Sequence, residues 1–173
     1  MNSSFNKGLQ RKIVSLQEMI NILVEKRSLW GSQGSTKKVV FTNGCFDLVH
    51  LGHVDYLSKA RDLGDLLIVG LNSDDSIRRL KGEKRPISHQ ESRAMVLAAF
   101  SFVDYVVIFE EDTPLKLITE LRPDILVKGG DYNHDNVVGA DFVESYGGRL
   151  ELIPLVPGES TTNLVQKMVD GNK

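Results

Sequence analysis

Thr42-Asn43-Gly44-Cys45-Phe46-Asp47-Leu48-Val49-His50-Leu51-Gly52-His53 is the stretch on which the reading of the fold turns. It follows a short apolar run, Val39-Val40-Phe41, that reads as a buried strand. It leads into a helical pattern over roughly Gly52 to Leu63. A turn between a buried strand and a helix is where an open α/β sheet binds phosphate, because the first helical turn offers free N–H groups and a partial positive charge. His50 and His53 stand three residues apart and so share one face of that turn. Gly52 between them has no side chain to hold a phosphate away from the backbone. Two imidazoles there can donate to a phosphoryl group while a bond breaks. The plain alternatives are an ordinary surface or core histidine, or half of a metal site.

Outward from this turn the chain alternates. Leu66 to Leu71, Tyr105 to Phe109, Ile125 to Val127 and Leu150 to Ile153 read as four further strands. Helices are expected through Ile77 and Leu80, from the capping-box pattern Ser88-His89-Gln90-Glu91 to about Phe100, from Thr113-Pro114 to about Leu121, and from about Val137 to Tyr146 with a stop at Gly147-Gly148. A last helix is expected from Ser160 or Thr161. Continuously apolar strands between helices predict a Rossmann-like α/β/α sandwich, doubly wound around five parallel strands, with ligands at the strands' carboxyl ends. Ahead of it Met1 to Lys12 reads as a loose tail. Ser15-Leu16-Gln17-Glu18 is a capping box opening a helix to about Trp30, and 31–35 is a Gly/Ser linker. The division expected is thus 1–37 as extension and 38–173 as the domain, the helix packing on the main fold or on a partner chain.

Composition narrows the classes. A chain of 173 residues fits one domain, and 41% apolar with 25% charged residues is the balance of a globular protein. No apolar run approaches the ~20 residues of a membrane span, and the polar N-terminus carries no secretory pattern, so a cytoplasmic protein without membrane contact is expected. A net charge of −2 gives no basic field for nucleic acid. The single cysteine, Cys45, excludes an internal disulfide and a cysteine-based zinc cage.

Gly44-Cys45-Phe46-Asp47 followed by His50-Leu51-Gly52-His53 resembles the signature of the nucleotidylyltransferase superfamily, whose His-x-Gly-His box binds a nucleotide triphosphate. The resemblance runs from about Lys38 to Met168. The segments 71–74, 79–82, 85–86, 109–114, Lys128-Gly129-Gly130-Asp131-Tyr132 and Ser160-Thr161-Thr162-Asn163 are similar to its heptose 1-phosphate adenylyltransferase branch. In many bacteria that domain is fused to a sugar kinase. The residues before Lys38 hold no kinase, so a stand-alone form acting beside a separate heptose kinase is expected.

The resemblance implies roles residue by residue. His50, His53 and Lys81 are the catalytic candidates. Asn43, Gly44, Cys45, Phe46, Asp47, Gly52, Arg85, Lys128, Gly129, Gly130, Asp131, Ser160, Thr161 and Thr162 are the nucleotide-binding candidates. Lys81, Lys84 and Arg85 form a basic, glycine-containing loop that suits a charge-neutralising lid, or else a solvated surface; Lys84 is read as surface. Asp74 either meets the sugar or a cation, or caps a helix. Arg93 either pairs with a carboxylate or reaches a phosphate. Both stand as substrate-binding candidates. Leu155 and Glu159 replace an arginine and an isoleucine of the cytidylyltransferase branch, which removes that branch's phosphate clamp. Cys45 is expected to pack beside the nucleotide, His89 to lie on the surface, and His134 to border the substrate or a polar loop.

The expected reaction is attack by a sugar 1-phosphate on the α-phosphorus of ATP, with pyrophosphate leaving, to supply lipopolysaccharide core or other surface-glycan synthesis. The nucleophile is already anionic, so positioning and charge stabilisation suffice. Mg2+ is expected with the triphosphate, without a named protein ligand. A homo-oligomer is expected from the N-terminal helix. The rival readings are a cytidylyltransferase for a small phosphorylated alcohol such as glycerol 3-phosphate, and a non-catalytic nucleotide-binding subunit.

Overall fold

In the computed structural model the described residues are 4–130, 134–154, 156–158, 161, 165, 170 and 171. Five strands, β1 (Val39–Gly44), β2 (Leu66–Asn72), β3 (Tyr105–Phe109), β4 (Ile125–Gly129) and β5 (Arg149–Ile153), pair in parallel in the order β3-β2-β1-β4-β5. All seven residues of β2 are buried, as a strand covered on both faces requires. The chain winds outward from β1 to β3 and then returns to place β4 against β1. That reversal opens a crevice beyond the carboxyl ends of β1 and β4.

Strand residues alternate between two cores. Phe41, Ile68 and Val107 face one layer with α2 (Leu16–Ser32), α6 (Leu115–Leu121) and α7 (Ala140–Ser145). Val40, Leu67, Val69 and Val106 face the other, with α3 (Leu51–Asp62) and α5 (Gln90–Ala98). Gly70 stands where the first layer is tightest: a Cβ there would lie 2.9 Å from the Phe41 ring and 3.1 Å from Leu117. Among the described residues no helix is long and apolar enough to cross a membrane.

The N-terminal segment belongs to the fold more closely than its sequence implies. Met19, Leu23 and Trp30 of α2 are buried in the first core at 0%, 2% and 8% exposure. The expected loose tail instead carries a short helix, α1 (Ser4–Gln10), and then runs along β3. Val14 N–H donates to the Val106 carbonyl at 3.0 Å and Val106 N–H to the Lys12 carbonyl at 2.8 Å. This bridge covers part of an edge that would otherwise present unpaired backbone groups. Lys12 Nζ donates to the carbonyls of Phe100 and Val103, which anchors the segment from its other side.

Helix ends show where local signals held. Ser15 and Glu18 form the expected capping box at the start of α2. The second expected box does not form, because Ser88 N–H donates to Asp47 and Ser88 C=O accepts from Arg93. α5 therefore begins after His89. α4 (Asp74–Lys81) is capped by Ser73, not Asp74. α6 begins after Pro114 without a cap from Thr113. α7 is shorter than expected, since residues 134–136 form a 3-10 turn and Gly139 adopts φ +89° ahead of it. Thr161, Val165 and Asp170 are helical.

Candidate active site

The turn after β1 is bent by Phe46, a non-glycine residue at φ +44°. Its buried ring fills the space above Gly44, where a Cβ would come within 3.0 Å of it, and leans on His53 with centroids 5.1 Å apart. The strain of a left-handed phenylalanine persists because the surroundings fix it. Two buried ion pairs do so. Asp47 Oδ2 accepts from Arg85 Nη1 at 2.7 Å, and Oδ1 accepts from the backbone N–H groups of Ile87 at 2.7 Å and Ser88 at 3.0 Å. Burial alone would raise the Asp47 pKa. The Ser88, Arg85 and Ile87 donors outweigh it and hold the carboxyl below its ordinary value.

Arg93, 1% exposed, ties the same turn to two other elements. It donates to the Cys45 carbonyl at 2.6 Å, the Ser88 carbonyl at 2.9 Å and Asp74 Oδ1 at 2.7 Å. Burial pushes the Asp74 pKa up, and Arg93 with His89 more than reverses this. Each nitrogen of the Arg93 guanidinium thus serves a protein oxygen. Arg93 and Asp74 hold the turn in shape from behind, and neither lines a cavity described below.

His50 is the N-cap of α3 and makes no capping bond with its side chain. Its ring packs on that of His53 with centroids 4.0 Å apart. Burial, then repulsion from His50 and Lys81, lowers the His53 pKa to about 4. At neutral pH His53 is therefore an uncharged imidazole. Its Nδ1 is buried without a hydrogen-bond partner among the described residues. Such an atom is costly to leave unsatisfied.

Three adjoining cavities meet at this turn. One of about 290 Å³ is lined by His53, Lys81, Arg85, Asp47, Cys45 and Thr161. One of about 180 Å³ lies between Phe46, His53, Tyr56, Lys128 and Gly129. The largest, about 420 Å³, extends over the ends of β2 and β3 to Asn72, Asp112 and Thr113, and is closed by Leu80, Asn136 and Val138. Lys81 and Cys45 border the first and third, while Asn43, Gly44 and Lys128 border the second and third. Lys128 Nζ donates to Asn43 Oδ1 across the β1–β4 junction. Burial lowers its pKa to about 8. A cationic group that is hard to keep charged in isolation is well placed to be neutralised by an anion.

The structure thus brings together Asn43 to Asp47, His50, Gly52, His53, Lys81, Arg85, Lys128, Gly129 and Thr161. Thr161 Oγ1 approaches the Leu48 carbonyl at 3.4 Å. Gly130 adopts φ +99° directly after the cavity wall. Asp131, Ser160 and Thr162, with Leu155 and Glu159, lie outside the described residues. His134 lies on the surface and pairs with Glu144 at 3.0 Å. Asn72, Asp112, Thr113, Asn136 and Tyr56 were not named as site residues from the sequence. Asn72, Asp112 and Thr113 carried two signals, since they follow or end strands on the ligand side of the sheet and lie in the segments 71–74 and 109–114 that carry the resemblance. Asp47, Asp74 and Asp112 are each engaged by an arginine.

Residues 41–166 match the cytidylyltransferase-like family. The chain is 60% identical over 158 residues to the bifunctional protein HldE of Geobacter sulfurreducens, a match covering 91% of this chain and 31% of that protein. It is 54% identical over 170 residues to the bifunctional protein HldE of Campylobacter concisus, covering 98% and 34%. The chain therefore spans about a third of the length of these relatives. Among solved structures, a lipopolysaccharide core biosynthesis protein from Thermoplasma volcanium superposes with a TM-score of 0.57 at 29% identity, over 69% of this chain and 97% of that one. The match begins within β1 and takes in the histidine turn, the basic loop and the β4 glycine turn, and the chain belongs to the cytidylyltransferase-like family.

Proposed function

We propose that the protein transfers AMP from ATP to D-glycero-β-D-manno-heptose 1-phosphate, giving ADP-heptose and pyrophosphate for lipopolysaccharide-type glycan synthesis. The observation that carries this reading is the junction of the cavities at Cys45, Lys81 and Lys128. One cavity is faced by His53, Lys81 and Arg85 and suits a triphosphate. The other reaches away over β2 and β3 with room for a second molecule.

An oxygen of the sugar phosphate attacks the α-phosphorus of ATP in line. The new P–O bond forms as the bond to the β-phosphate oxygen breaks, and the leaving electron pair departs with pyrophosphate. No proton is removed from the nucleophile. His50 and His53 donate to phosphoryl oxygens, and the negative charge of the bound triphosphate favours their protonated forms. Lys81 and Arg85 neutralise the leaving group; Arg85 does so from its seat on Asp47. Lys128 lies where the two phosphates meet. Such preorganised donors act where charge develops and need no reorganisation. Magnesium enters as part of the ATP substrate, which suits a site whose carboxylates are already held by arginines. The acceptor is the product of phosphoryl transfer to the anomeric hydroxyl of the sugar, the reaction of a sugar kinase.

Pyrophosphate release measured across nucleotide and acceptor pairs tests this reading. ATP with heptose 1-phosphate is expected to be active, and CTP with glycerol 3-phosphate nearly inactive. A preference for the second pair contradicts the substrate assignment. Nucleotide binding without release for any pair contradicts catalysis.

A further inference from the structure

We infer that Asn72 reads a hydroxyl group of the acceptor sugar and that Ser76 fixes the amide in the orientation this needs; the inference rests on the adenylyl-transfer reading above. Asn72 is the last residue of β2 and is 4% exposed. Its Nδ2 donates to Ser76 Oγ at 3.0 Å, and Ser76 Oγ donates to the Glu111 carbonyl at 3.0 Å. Ser76 is fully buried. A serine hydroxyl has a single proton, and a backbone carbonyl can only accept. The Ser76 proton is therefore committed to Glu111, and Ser76 can only accept from Asn72. The reverse orientation of the amide would set two acceptors against one proton. The –NH2 of Asn72 is thus held toward α4, and Oδ1 is left to the large cavity that Asn72 lines.

A carbonyl oxygen accepts from a hydroxyl and repels a phosphate, which at neutral pH offers mostly acceptors. The cavity is polarised in the same sense along its length. Lys128 and Lys81 stand at the end shared with the other cavities. At the far end the carboxylate of Asp112, held by Arg79 Nε at 2.7 Å, is a second acceptor. A ligand with an anionic head and a hydroxylated body fits this polarity, with the phosphate at the lysines and the hydroxyls toward Asn72. The ribose of the nucleotide is the other source of hydroxyls. The cavity carrying His53 and Arg85 does not include Asn72, which favours the acceptor.

Steady-state kinetics of Asn72→Ala and Ser76→Ala with ATP and heptose 1-phosphate test this. Asn72→Ala is expected to raise KM for the acceptor about 3- to 10-fold, the range for one hydrogen bond to a neutral group, with KM for ATP and kcat retained. Ser76→Ala leaves Asn72 in place but releases its amide, and a smaller rise in the same constant is expected. A unique deoxy analogue of the acceptor should bind the wild type and Asn72→Ala alike. An unchanged acceptor KM in both variants overturns the inference, and a rise in KM for ATP instead assigns Asn72 to the ribose and also overturns it. If Asn72→Ala fails to fold, Ser76→Ala decides by the same split. A wild-type chain that turns over no sugar 1-phosphate overturns the functional reading and this inference together. A wild type that turns over normally beside unaffected variants overturns the inference alone.

Discussion

His53 concentrates the chemistry of the site at one residue. Its pKa near 4 follows from burial beside His50 and Lys81. The folded value lies below the ordinary 6.5, so the unfolded chain binds the extra proton between about pH 6.5 and 4. His53 therefore withdraws stability as the pH falls through that window. In the proposed reaction it is the donor to the transition state. His53→Ala is expected to lower kcat by about 10²–10³ while unfolding at a denaturant concentration close to that of the wild type at pH 7. Turnover equal to wild type would remove it from the mechanism.

Lys128 gives a prediction with two opposite slopes. Its pKa near 8 is below the ordinary 10.5, so between these values the unfolded chain holds more protons and this residue's contribution to stability rises with pH. In the proposed reaction its charge meets phosphate, so kcat/KM for the acceptor is expected to fall as pH rises through about 8. Lys128→Met should lower kcat/KM and abolish that step. A step that survives the substitution would assign it to another group. The sequence placed Lys128, His50 and His53 at the site because strand ends and helix starts were readable. It left Arg93 open between a structural and a phosphate role. Only the fold shows that the arginine's acceptors, Cys45, Ser88 and Asp74, come from three separate segments.

At the scale of elements, the basic loop between α4 and α5 and the turn after β1 are one unit, joined through Asp47. This is why the capping pattern at Ser88 failed: a local hydrogen-bond motif lost to a buried carboxylate 41 positions away. The pattern at Ser15 has no such competitor and formed as read. Asp47→Asn keeps the shape but turns an N–H group on Arg85 or on the Ile87 and Ser88 amides. It is expected to cost about 2–3 kcal/mol of stability, the range for hydrogen bonds to a charged group, and to raise KM for ATP as Arg85 loses its seat. Chemical denaturation and ATP kinetics check both parts. Wild-type stability with altered KM would mean that Asp47 acts on the ligand and not on the loop.

On the scale of the whole molecule, the five-stranded parallel class and the ligand side of the sheet were legible because parallel strands are continuously apolar and alternate with helices, whereas the order β3-β2-β1-β4-β5 came only with the fold. The role of the N-terminal helix was not legible. The apolar positions Leu16, Ile20, Leu23 and Val24 left open whether the helix packs on the main fold or on a partner chain. In the fold its inner face completes one of the two cores, while Val24 and Leu29 stay on the outside at 64% and 55% exposure. Met19→Ala is expected to cost about 2–4 kcal/mol, as for other large-to-small changes in a packed core, and to leave KM values unchanged below the melting transition. A loss under about 1 kcal/mol, the floor for deleting buried methylene groups, would show α2 to be a loosely held extension.

The central claim is direct attack of an acceptor phosphate on ATP at the β1–β4 crevice. Its most direct test is mass spectrometry of the products formed from ATP and heptose 1-phosphate whose non-bridging phosphate oxygens are heavy-isotope labelled. Direct attack predicts ADP-heptose that keeps every labelled oxygen, one of them now bridging the two phosphates, and pyrophosphate without label. Label in the pyrophosphate, or free AMP with no sugar nucleotide, would contradict the account.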